Sequence, residues 1–421
     1  MDSFIIEGPK KLNGTVKISG SKNAALPILT ACLAKPAVYN LKNIPDLKDT
    51  RTMLKLLKIT GAKILRKKDS IIIDTRKCDN PEAPYDLVKT MRASFYVLGP
   101  LLSRFGYAKV SMPGGCAWGP RPIDYHLTAF ETLGAKVTLK SGYIITEGNL
   151  KANTIIFPKP SVGATGNVIM ACSNLNQHVT IINAAKEPEI VDLCNFLEKT
   201  GVSFKGVGTS ELTIIGTSRK IINPIDYTVI PDRIEAGTFL IACAAAGGDI
   251  ILEDIRYDHL LSVVKNLKDI GMKISNTHNS IRIISDSIIK SKNLKTDVYP
   301  GFPTDLQAQW ISLMAISNGV CTVEDTIYKD RFTHVPELNR LGAKIEMENN
   351  IATIKGVPVL YSASIMSTDI RASASLIIAS ICAEGVSELS RIYHIDRGYE
   401  RIEDKFAKLG VPIKRINKER A

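Results

Sequence analysis

The sequence predicts an α/β protein of two domains, each built from three βα repeats with buried helices and outer sheets. Two observations carry this prediction: the length of 421 residues and an internal repeat of roughly 70 residues. A chain of this length exceeds one ordinary core, because single cores stop growing near about 250 to 300 residues. Six repeats then divide evenly into two groups of three.

The repeat is marked by six glycines, each of which ends a helical stretch and precedes a short apolar strand. They are Gly61, Gly134, Gly201, Gly271, Gly342 and Gly410, at successive spacings of 73, 67, 70, 71 and 68 residues. Glycine adopts the left-handed backbone that ends many helices without strain. Each of the six is therefore expected to end a helix and turn the chain directly into a strand.

Each repeat also carries a helix that is apolar or small on nearly every face. A helix without a polar face is expected to be buried on all sides. The helix next to the glycine is amphipathic instead, as in residues 258–270, and is expected in an outer layer. The expected buried helices include residues 24–33, 93–105, 236–246, 306–317 and 372–383.

Short apolar runs between the helices predict strands, and the segments after the glycines predict hairpins. A solenoid would need capped ends and much shorter repeats, so two pseudo-threefold domains are favoured. The break between them is expected near residues 227–231, and a cleft between two such domains is a natural place for a substrate. The strands are expected at residues 38–42, 109–112, 179–182 and 250–253, and the hairpins at 136–147 and 344–355.

The composition is that of an ordinary globular protein, with 45% hydrophobic and 23% charged residues. No apolar run approaches the ~18 residues of a membrane span, and residues 1–14 lack the features of a signal peptide. The eight cysteines form no CxxC pair, which is typical of a reducing compartment. These observations predict a cytoplasmic protein without a disulfide framework or a zinc site.

The net charge of +12 is compatible with a nucleic-acid partner, an anionic small substrate or a lysine-rich surface. No basic stripe with interleaved aromatic residues occurs, and aromatic residues make up only 6% of the chain. Surface lysines therefore explain most of the charge, and a nucleic-acid partner is not expected.

Residues 113–122, with the sequence PGGCAWGPRP, predict a loop that presents Cys116. The prolines and glycines on both sides of the thiol are incompatible with a regular helix or strand. Arg121 adds a fixed positive charge that favours the thiolate and attracts an anion. The alternative is a buried, inert cysteine, but such cysteines usually lie inside helices or strands.

The loop and the sixfold repeat together resemble the bacterial enolpyruvyl transferases that act on UDP-N-acetylglucosamine, from the N-terminus to about Lys414. The resemblance implies two inside-out α/β barrels with the first residues packed on the second domain. The expected domains are residues 22–229 and residues 1–21 with 230–421, with the active site in the cleft. The motifs that carry the resemblance are SGSKNA (19–24), RAS (92–94), the Cys116 loop, SVGAT (161–165), PDRIE (231–235), PGFPTD (300–305), RF (331–332), DIRAS (369–373) and HIDRGYE (394–400).

This resemblance also implies an activity: transfer of the enolpyruvyl group of phosphoenolpyruvate to the 3'-hydroxyl of the sugar, with release of phosphate. The reaction is the first committed step of peptidoglycan synthesis in that family. It implies two small-molecule substrates, no cofactor, no metal, no nucleic-acid or membrane partner, and a monomer or weak oligomer.

The resemblance further assigns roles to residues. Cys116 is the expected proton donor, the site of a pyruvate adduct and the target of fosfomycin, while Asp305 is the expected base for the 3'-hydroxyl. A plain helix N-cap is the alternative for Asp305. Lys22 and Arg397 are the other expected catalytic residues, and the neighbouring Gly20 and Gly398 predict turn-like segments for both. The expected substrate-binding residues are Lys22, Asn23, Arg92, Arg121, Pro122, Asp124, Lys159, Ser161, Val162, Gly163, Asp305, Ile327, Arg331, Asp369 and Arg371.

His394, Trp118 and Ile370 lie in or near these motifs and have no assigned catalytic role. His394, like Asp369, is expected either to support the site or to be structural. Trp118 and Ile370 depart from the common family pattern and could alter loop closure or inhibitor contacts, without touching the proposed acid or base.

Three other functions are alternatives. The sister enolpyruvyl transferase that acts on shikimate 3-phosphate shares the repeats but lacks the cysteine loop. A non-catalytic polyanion-binding protein would explain the charge but not the thiol between glycines and prolines. A cysteine hydrolase would need a histidine base near Cys116, for which His126 is the candidate nearest in sequence.

Overall fold

The computed structural model describes residues 2–89, 91–112, 123–221, 223–286 and 288–417, with the backbone alone for Arg92. Contacts within the chain divide it into two compact units. Unit 1 comprises Met1–Ser19 and Pro231–Ala421, and unit 2 comprises Gly20–Ile230. The described part of each unit contains three four-stranded sheets.

The strands are short, as expected for a chain that alternates strands with helices. They are β1 (Asp2–Gly8), β2 (Leu12–Lys17), β3 (Val38–Lys42), β4 (Lys63–Arg66), β5 (Ser70–Asp74), β6 (Glu82–Ala83), β7 (Tyr107–Ser111), β8 (Lys136–Lys140), β9 (Tyr143–Glu147), β10 (Thr154–Ile156), β11 (His178–Ile182), β12 (Ser203–Lys205), β13 (Glu211–Ile215), β14 (Ile225–Thr228), β15 (Gly248–Glu253), β16 (Lys273–Asn276), β17 (Ser280–Ser285), β18 (Leu294–Lys295), β19 (Val320–Glu324), β20 (Lys344–Glu348), β21 (Ile351–Lys355), β22 (Ser364–Met366), β23 (Gly385–Ser390) and β24 (Ile413–Asn417).

The helices fall into a buried set and an outer set. The α-helices are α1 (Lys22–Ala31), α2 (Lys48–Ile59), α3 (Tyr85–Val88), α4 (Leu98–Phe105), α5 (Asp124–Thr132), α6 (Val162–Ala171), α7 (Pro188–Glu198), α8 (Arg233–Ala246), α9 (Leu261–Asp269), α10 (Gln307–Met314), α11 (Val335–Arg340), α12 (Ile370–Cys382) and α13 (Ile402–Lys408). Short 3₁₀ helices cover Arg92–Val97, Tyr257–Leu260, Thr304–Leu306 and Ile392–Arg397.

All six sheets share one strand pattern. An edge strand runs parallel to a central strand, and two further strands complete the sheet in antiparallel order, as in β6-β7-β9-β8. The other sheets of unit 2 are β14-β3-β5-β4 and β10-β11-β13-β12. Those of unit 1 are β16-β17-β15-β2, β18-β19-β21-β20 and β22-β23-β1-β24.

In four repeats the edge strand leads through a buried helix into its own parallel partner, as β10 leads through α6 into β11. The strands β2 and β14 break this rule. β2 pairs with β15 in unit 1 although the helix after it, α1, belongs to unit 2. β14 pairs with β3 in unit 2 although α8, which follows it, belongs to unit 1. Each of these two edge strands therefore pairs with a strand of its own unit, whereas the helix that follows it in the chain belongs to the other unit.

Each unit has its own hydrophobic core, into which the helices without a polar face are packed. Nearly every residue of α1, α8 and α12 is buried, whereas α9 buries only Val263, Val264 and Leu267. A close approach between buried helices occurs where a Cβ on Gly99 of α4 would lie 2.3 Å from the carbonyl oxygen of Asn167 in α6. The predicted division into buried and outer helices is therefore confirmed.

The predicted turns at the repeat glycines and the predicted hairpins are also confirmed. The six repeat glycines have φ between +91° and +109°. Each lies one or two positions after the C-cap residue of its helix rather than forming the cap itself. The helix predicted over residues 93–105 is wrong in one respect, since a 3₁₀ helix covers Arg92–Val97 and α4 begins at Leu98. Because α4 begins at Leu98, Pro100 lies in its first turn, where the missing N–H of proline costs no intrahelical hydrogen bond.

Candidate active site

Three of the expected site residues, Cys116, Arg121 and Pro122, lie outside the described residues, as does Trp118. The side chain of Arg92 is also outside them, although its backbone begins the 3₁₀ helix Arg92–Val97. The remaining expected residues fall into one group in unit 2 and another in unit 1.

Lys22 is the first residue of α1, so the expectation of a turn-like segment is wrong for this lysine. Ser21 is the N-cap, and its hydroxyl accepts from the backbone N–H of Ala24 at 3.3 Å. Lys22 is only 9% exposed, and its Nζ lies 3.9 Å from Oδ2 of Asp49. A buried ammonium near a carboxylate is not an ordinary surface charge. Asn23 follows it in the first turn of the same helix.

The expected nucleotide-binding residues of unit 2 lie at the starts of two helices. Asp124 begins α5 and is exposed, and Ser161 is the N-cap of α6, where its hydroxyl accepts from the N–H of Ala164. Val162 and Gly163 form the first turn of α6. Lys159 is exposed in the segment before it.

His126 brings these two helix starts together. Its Nε2 lies 3.2 Å from the position that a Cβ on Gly163 would occupy, so α5 and α6 touch at this point. Its Nδ1 lies 3.0 Å from Asn167 Nδ2, and the Asn167 Oδ1 accepts from the N–H of Gly99 at 2.8 Å. Because the amide nitrogen can only donate, His126 Nδ1 is the acceptor and Nε2 carries the proton. This tautomer does not suit a base that takes a thiol proton at Nε2.

In unit 1, Asp305 is held by two arginines from distant parts of the chain. Arg331 Nη1 donates to Oδ1 at 2.8 Å, and Arg371 Nη2 donates to Oδ2 at 2.8 Å. The 3₁₀ helix Thr304–Leu306 has Pro303 at its N-cap and α10 has Leu306, so the N-cap interpretation of Asp305 is wrong. Both arginines are buried, at 8% and 5% exposure.

A second carboxylate, Asp325, organises the segment that carries Ile327. Its Oδ1 accepts from the backbone N–H groups of Ile327 and Tyr328, both at 2.9 Å. Its Oδ2 accepts from the Thr304 hydroxyl at 2.7 Å, and the same hydroxyl accepts from Arg331 Nη1 at 3.0 Å. Asp325 therefore fixes both the residue before Asp305 and one of the arginines that hold it.

Asp369 is the N-cap of α12, which makes its structural role definite. Its Oδ1 accepts from the backbone N–H of Arg371 at 2.7 Å and from that of Ala372 at 3.2 Å. The carboxylate thereby starts the helix whose second residue reaches Asp305. A cap of this kind typically contributes about 0.5 to 2 kcal/mol.

Arg397 is the last residue of the 3₁₀ helix Ile392–Arg397 and is partly exposed, so it does not lie in a simple turn. His394 lies in the same 3₁₀ helix, and its ring centroid is 4.2 Å from that of Tyr393. A Cβ on Gly398 would lie 2.5 Å from Cγ2 of Ile370, so this segment packs against the start of α12. Arg397 and Arg371 therefore belong to neighbouring segments of unit 1.

The electrostatics of the Asp305 group favour charge on the arginines. Burial lowers the pKa of the Arg371 guanidinium, but Asp305 and Tyr399 outweigh that effect and the net pKa is raised. Burial, followed by the charge of Arg331, lowers the pKa of His334 to about 3, so this imidazole is neutral. Arg331 and Arg371 thus place two guanidinium groups beside one carboxylate, and guanidinium groups are well suited to bind an anionic substrate.

The comparisons with known proteins cover almost the whole chain. The family model of EPSP synthase (3-phosphoshikimate 1-carboxyvinyltransferase) matches residues 6–406. The chain belongs to the enolpyruvyl transferase family. Among curated relatives of this enolpyruvyl transferase, the UDP-N-acetylglucosamine 1-carboxyvinyltransferase of Geotalea daltonii is 48% identical over 99% of this chain and 100% of its own. A protein of Carboxydothermus hydrogenoformans named UDP-N-acetylglucosamine 1-carboxyvinyltransferase 2 is 47% identical over 99% of this chain and 100% of its own.

Solved structures match the enolpyruvyl transferase at lower identity. The enolpyruvyl transferase NikO from Streptomyces tendae has a TM-score of 0.90 at 22% identity and covers 98% of each chain. An EPSP synthase from Acinetobacter baumannii has a TM-score of 0.76 at 16% identity and covers 99% of this chain and 100% of its own. The predicted fold class, two inside-out α/β barrels of three repeats each, is confirmed. No helix in the described part of the chain has the length and hydrophobicity that crossing a membrane requires.

Proposed function

We propose that the protein transfers the enolpyruvyl group of phosphoenolpyruvate to the 3'-hydroxyl of UDP-N-acetylglucosamine and releases phosphate. The observation that carries this proposal is the 48% identity, over 99% of the chain, to relatives named UDP-N-acetylglucosamine 1-carboxyvinyltransferase. The reaction would be the first committed step of peptidoglycan synthesis, in the cytoplasm, with two small-molecule substrates and no cofactor. The protein would act as a monomer or weak oligomer.

The charges of the candidate residues suit this pair of substrates. Phosphoenolpyruvate carries a carboxylate and a phosphate, which together require several cations. Lys22 in unit 2 and Arg371 and Arg397 in unit 1 are candidates for this task, together with Arg92 and Arg121. The grouping of Arg331 and Arg371 on the Asp305 carboxylate supports the assignment, because it places two cations beside the candidate base.

The proposed chemistry is an addition followed by an elimination. In the addition, Cys116 gives a proton to carbon 3 of phosphoenolpyruvate, the 3'-oxygen bonds to carbon 2, and the hydroxyl proton passes to Asp305. In the elimination, carbon 3 returns a proton to the Cys116 thiolate, the bond from carbon 2 to the phosphate oxygen breaks, and Asp305 gives its proton to the leaving phosphate. The electron pair of that bond leaves with phosphate, and the double bond between carbons 2 and 3 forms again.

The geometry around Asp305 supports its role as the base. The contacts with Arg331 and Arg371 place one guanidinium on each oxygen of the carboxylate. The arginines fix the direction of the carboxylate, which a general base requires. Asp369 supports the base indirectly, because it starts the helix that carries Arg371.

The nucleotide would bind to unit 2. The N-terminus of α6 offers backbone N–H groups of Val162 and Gly163 to a diphosphate, and Ser161 and Lys159 lie beside them. Arg121, Pro122 and Asp124 would surround the uracil. In unit 1, Ile327 and Arg331 would complete the substrate contacts, since Asp325 and Thr304 fix both.

The test is the release of phosphate from phosphoenolpyruvate with three acceptors: UDP-N-acetylglucosamine, shikimate 3-phosphate and none. We expect release with the sugar nucleotide alone, and release slower by ~10²-fold or more from the Asp305→Asn control. Release with shikimate 3-phosphate instead would support the activity after which the family model is described. Absence of release, combined with DNA binding that weakens steeply with salt, would support a polyanion-binding protein.

A further inference from the structure

Tyr399 joins the three buried helices of unit 1 through one hydroxyl group. Its oxygen lies 2.8 Å from Thr238 Oγ1 in α8, 3.2 Å from Gln309 Nε2 in α10 and 3.3 Å from Arg371 Nη1 in α12. Tyr399 is only 2% exposed. The contact with Arg371 concerns the same guanidinium that holds Asp305 through its other terminal nitrogen.

The direction of every hydrogen bond on this hydroxyl follows from its partners. A tyrosine hydroxyl has one proton and two lone pairs. Arg371 Nη1 can only donate, so it takes one lone pair, while Gln309 Nε2 shares its two protons among the Tyr399 hydroxyl, Thr238 Oγ1 at 3.1 Å and the backbone oxygen of Asp305. The Tyr399 proton therefore goes to Thr238 Oγ1, whose own proton goes to the carbonyl oxygen of Ile234 at 2.8 Å. The hydroxyl cannot reverse without breaking two bonds.

We propose that Tyr399 is a positioning residue that fixes the Arg371 guanidinium so that it orients the Asp305 carboxylate. Gln309 extends this role, because its Nε2 also donates to the backbone oxygen of Asp305 at 3.1 Å. Tyr399 lies two residues after Arg397, so the same buried side chain anchors the segment that carries a second candidate cation. The proposal rests on the proposed function, in which Asp305 is the base.

The Tyr399 hydroxyl can be removed from the surroundings of Arg371 without changing any charge there. The charged and titratable groups near Arg371 are Asp305, Asp232 and Tyr399, and Arg331 faces the other oxygen of Asp305. Burial raises the pKa of Tyr399, so its hydroxyl keeps the proton that the bond to Thr238 requires. The Arg371 guanidinium carbon also lies 5.7 Å from the centroid of the Tyr399 ring, a contact that phenylalanine would keep.

The test compares wild type, Tyr399→Phe and Tyr361→Phe in the phosphate-release assay across pH, with thermal unfolding of each protein. Tyr361 is a matched control because it is in the same unit and 60% exposed. For Tyr399→Phe we expect kcat to fall about tenfold or more, as for a lost hydrogen bond to a charged group. The KM for the sugar nucleotide should change far less. The acid limb of kcat should move to higher pH, because a carboxylate binds a proton more readily when a guanidinium no longer faces it.

The outcomes are separable. A lower Tm with wild-type kcat and pH profile would mean that Tyr399 only stabilises the fold, and the proposal would be wrong. If Tyr399→Phe does not fold, Thr238→Val and Thr238→Ser decide the question, since only valine removes the acceptor of the tyrosine proton. A loss of kcat in the valine variant alone supports the proposal, and equal activity in both overturns it. A wild-type protein that releases no phosphate would refute the proposed function itself.

Discussion

Arg371 Nη2 lies 2.8 Å from Asp305 Oδ2, and this contact joins residues 66 positions apart in the chain. The contact explains the burial of Arg371, since a guanidinium inside α12 needs an anionic partner. It also fixes the direction of the partly exposed Asp305 carboxylate. Arg331 closes the arrangement from the opposite oxygen. The first prediction tests this carboxylate.

Asp305→Asn should lower turnover by the ~10²-fold or more expected of a general base. The amide keeps the shape but cannot take the hydroxyl proton, and it presents a donor to one of the two arginines. Affinity for UDP-N-acetylglucosamine, measured by calorimetry, should change much less. Asp305→Ala should resemble the Asn variant in turnover, because Pro303 and not Asp305 is the N-cap. Near-normal turnover in Asp305→Asn would remove the base assignment.

Cys116→Asp should keep substantial transferase activity and become insensitive to fosfomycin. Cys116→Ser should lose much of its transferase activity and much of its sensitivity to fosfomycin. A thiolate favoured by Arg121 attacks a strained epoxide readily, but a carboxylate does so poorly. A carboxylic acid can still deliver a proton when partial burial raises its pKa. Intact mass after incubation with fosfomycin and the sugar nucleotide should show one added inhibitor on the native protein. An adduct on another cysteine would contradict the assignment.

Lys35 should make the free energy of unfolding depend on pH between about 8 and 10.5. It is 3% exposed, its Nζ donates to the carbonyl oxygens of Thr217 and Thr200, and burial lowers its pKa to about 8. Unfolded lysine has a pKa near 10.4, so across this window the unfolded chain binds more protons than the folded one. The Lys35 contribution to stability therefore rises with pH.

Only a comparison of variants isolates this contribution. Burial raises the pKa of cysteines such as Cys172 and Cys194, which makes stability fall with pH above the pKa of an unfolded thiol. Urea unfolding of wild type, Lys35→Met and the exposed-lysine control Lys67→Met should be measured in steps from pH 7.5 to 10.5. We expect the Lys35→Met curve alone to lose the rising component. Parallel curves for wild type and Lys35→Met would contradict the prediction.

Gly99→Ala should destabilise the protein by about 1 to 3 kcal/mol, the usual cost of overpacking. The new Cβ would meet the carbonyl oxygen of Asn167 at 2.3 Å, and a backbone atom in a buried helix cannot move aside. Gly166→Ala is the matched control, because its Cβ would meet the Cε1 of Tyr96, a side-chain atom, at 3.0 Å. Denaturant unfolding of both variants should show the larger loss for Gly99→Ala.

Features that depend on neighbouring residues could be predicted from the sequence. The bounds of the hairpins at residues 136–147 and 344–355 match β8 with β9 and β20 with β21. The first strand of each hairpin alternates apolar and polar residues. Gly134 and Gly342, which precede the hairpins, have the positive φ that glycine adopts without strain. The start of α4 could have been predicted in the same way from Pro100.

Features that depend on distant partners could not. Asp305 in the sequence Thr-Asp-Leu-Gln is compatible with a helix cap, and only contacts with residues 26 and 66 positions away decide against it. Asp325 and Tyr399 carry no local signal of their roles, since an aspartate after a strand and a tyrosine after a glycine are common. Lys22 was placed beside a turn because Gly20 precedes it, but the hydroxyl of Ser21 starts a helix there.

The position of β1 between β23 and β24 has a consequence for how the protein is made. Residues 20–230 contain every strand of unit 2, so this unit can be complete as soon as they leave the ribosome. β1 precedes the other described strands in the chain and must wait for β24, roughly 400 residues later, which takes roughly 20 to 80 seconds at translation rates of about 5 to 20 residues per second. Throughout that interval Phe4 and Ile6, fully buried in the finished protein, have no sheet to join. β1 is therefore among the last of the described strands to be paired, and it is a segment of the nascent chain that a ribosome-bound chaperone could protect.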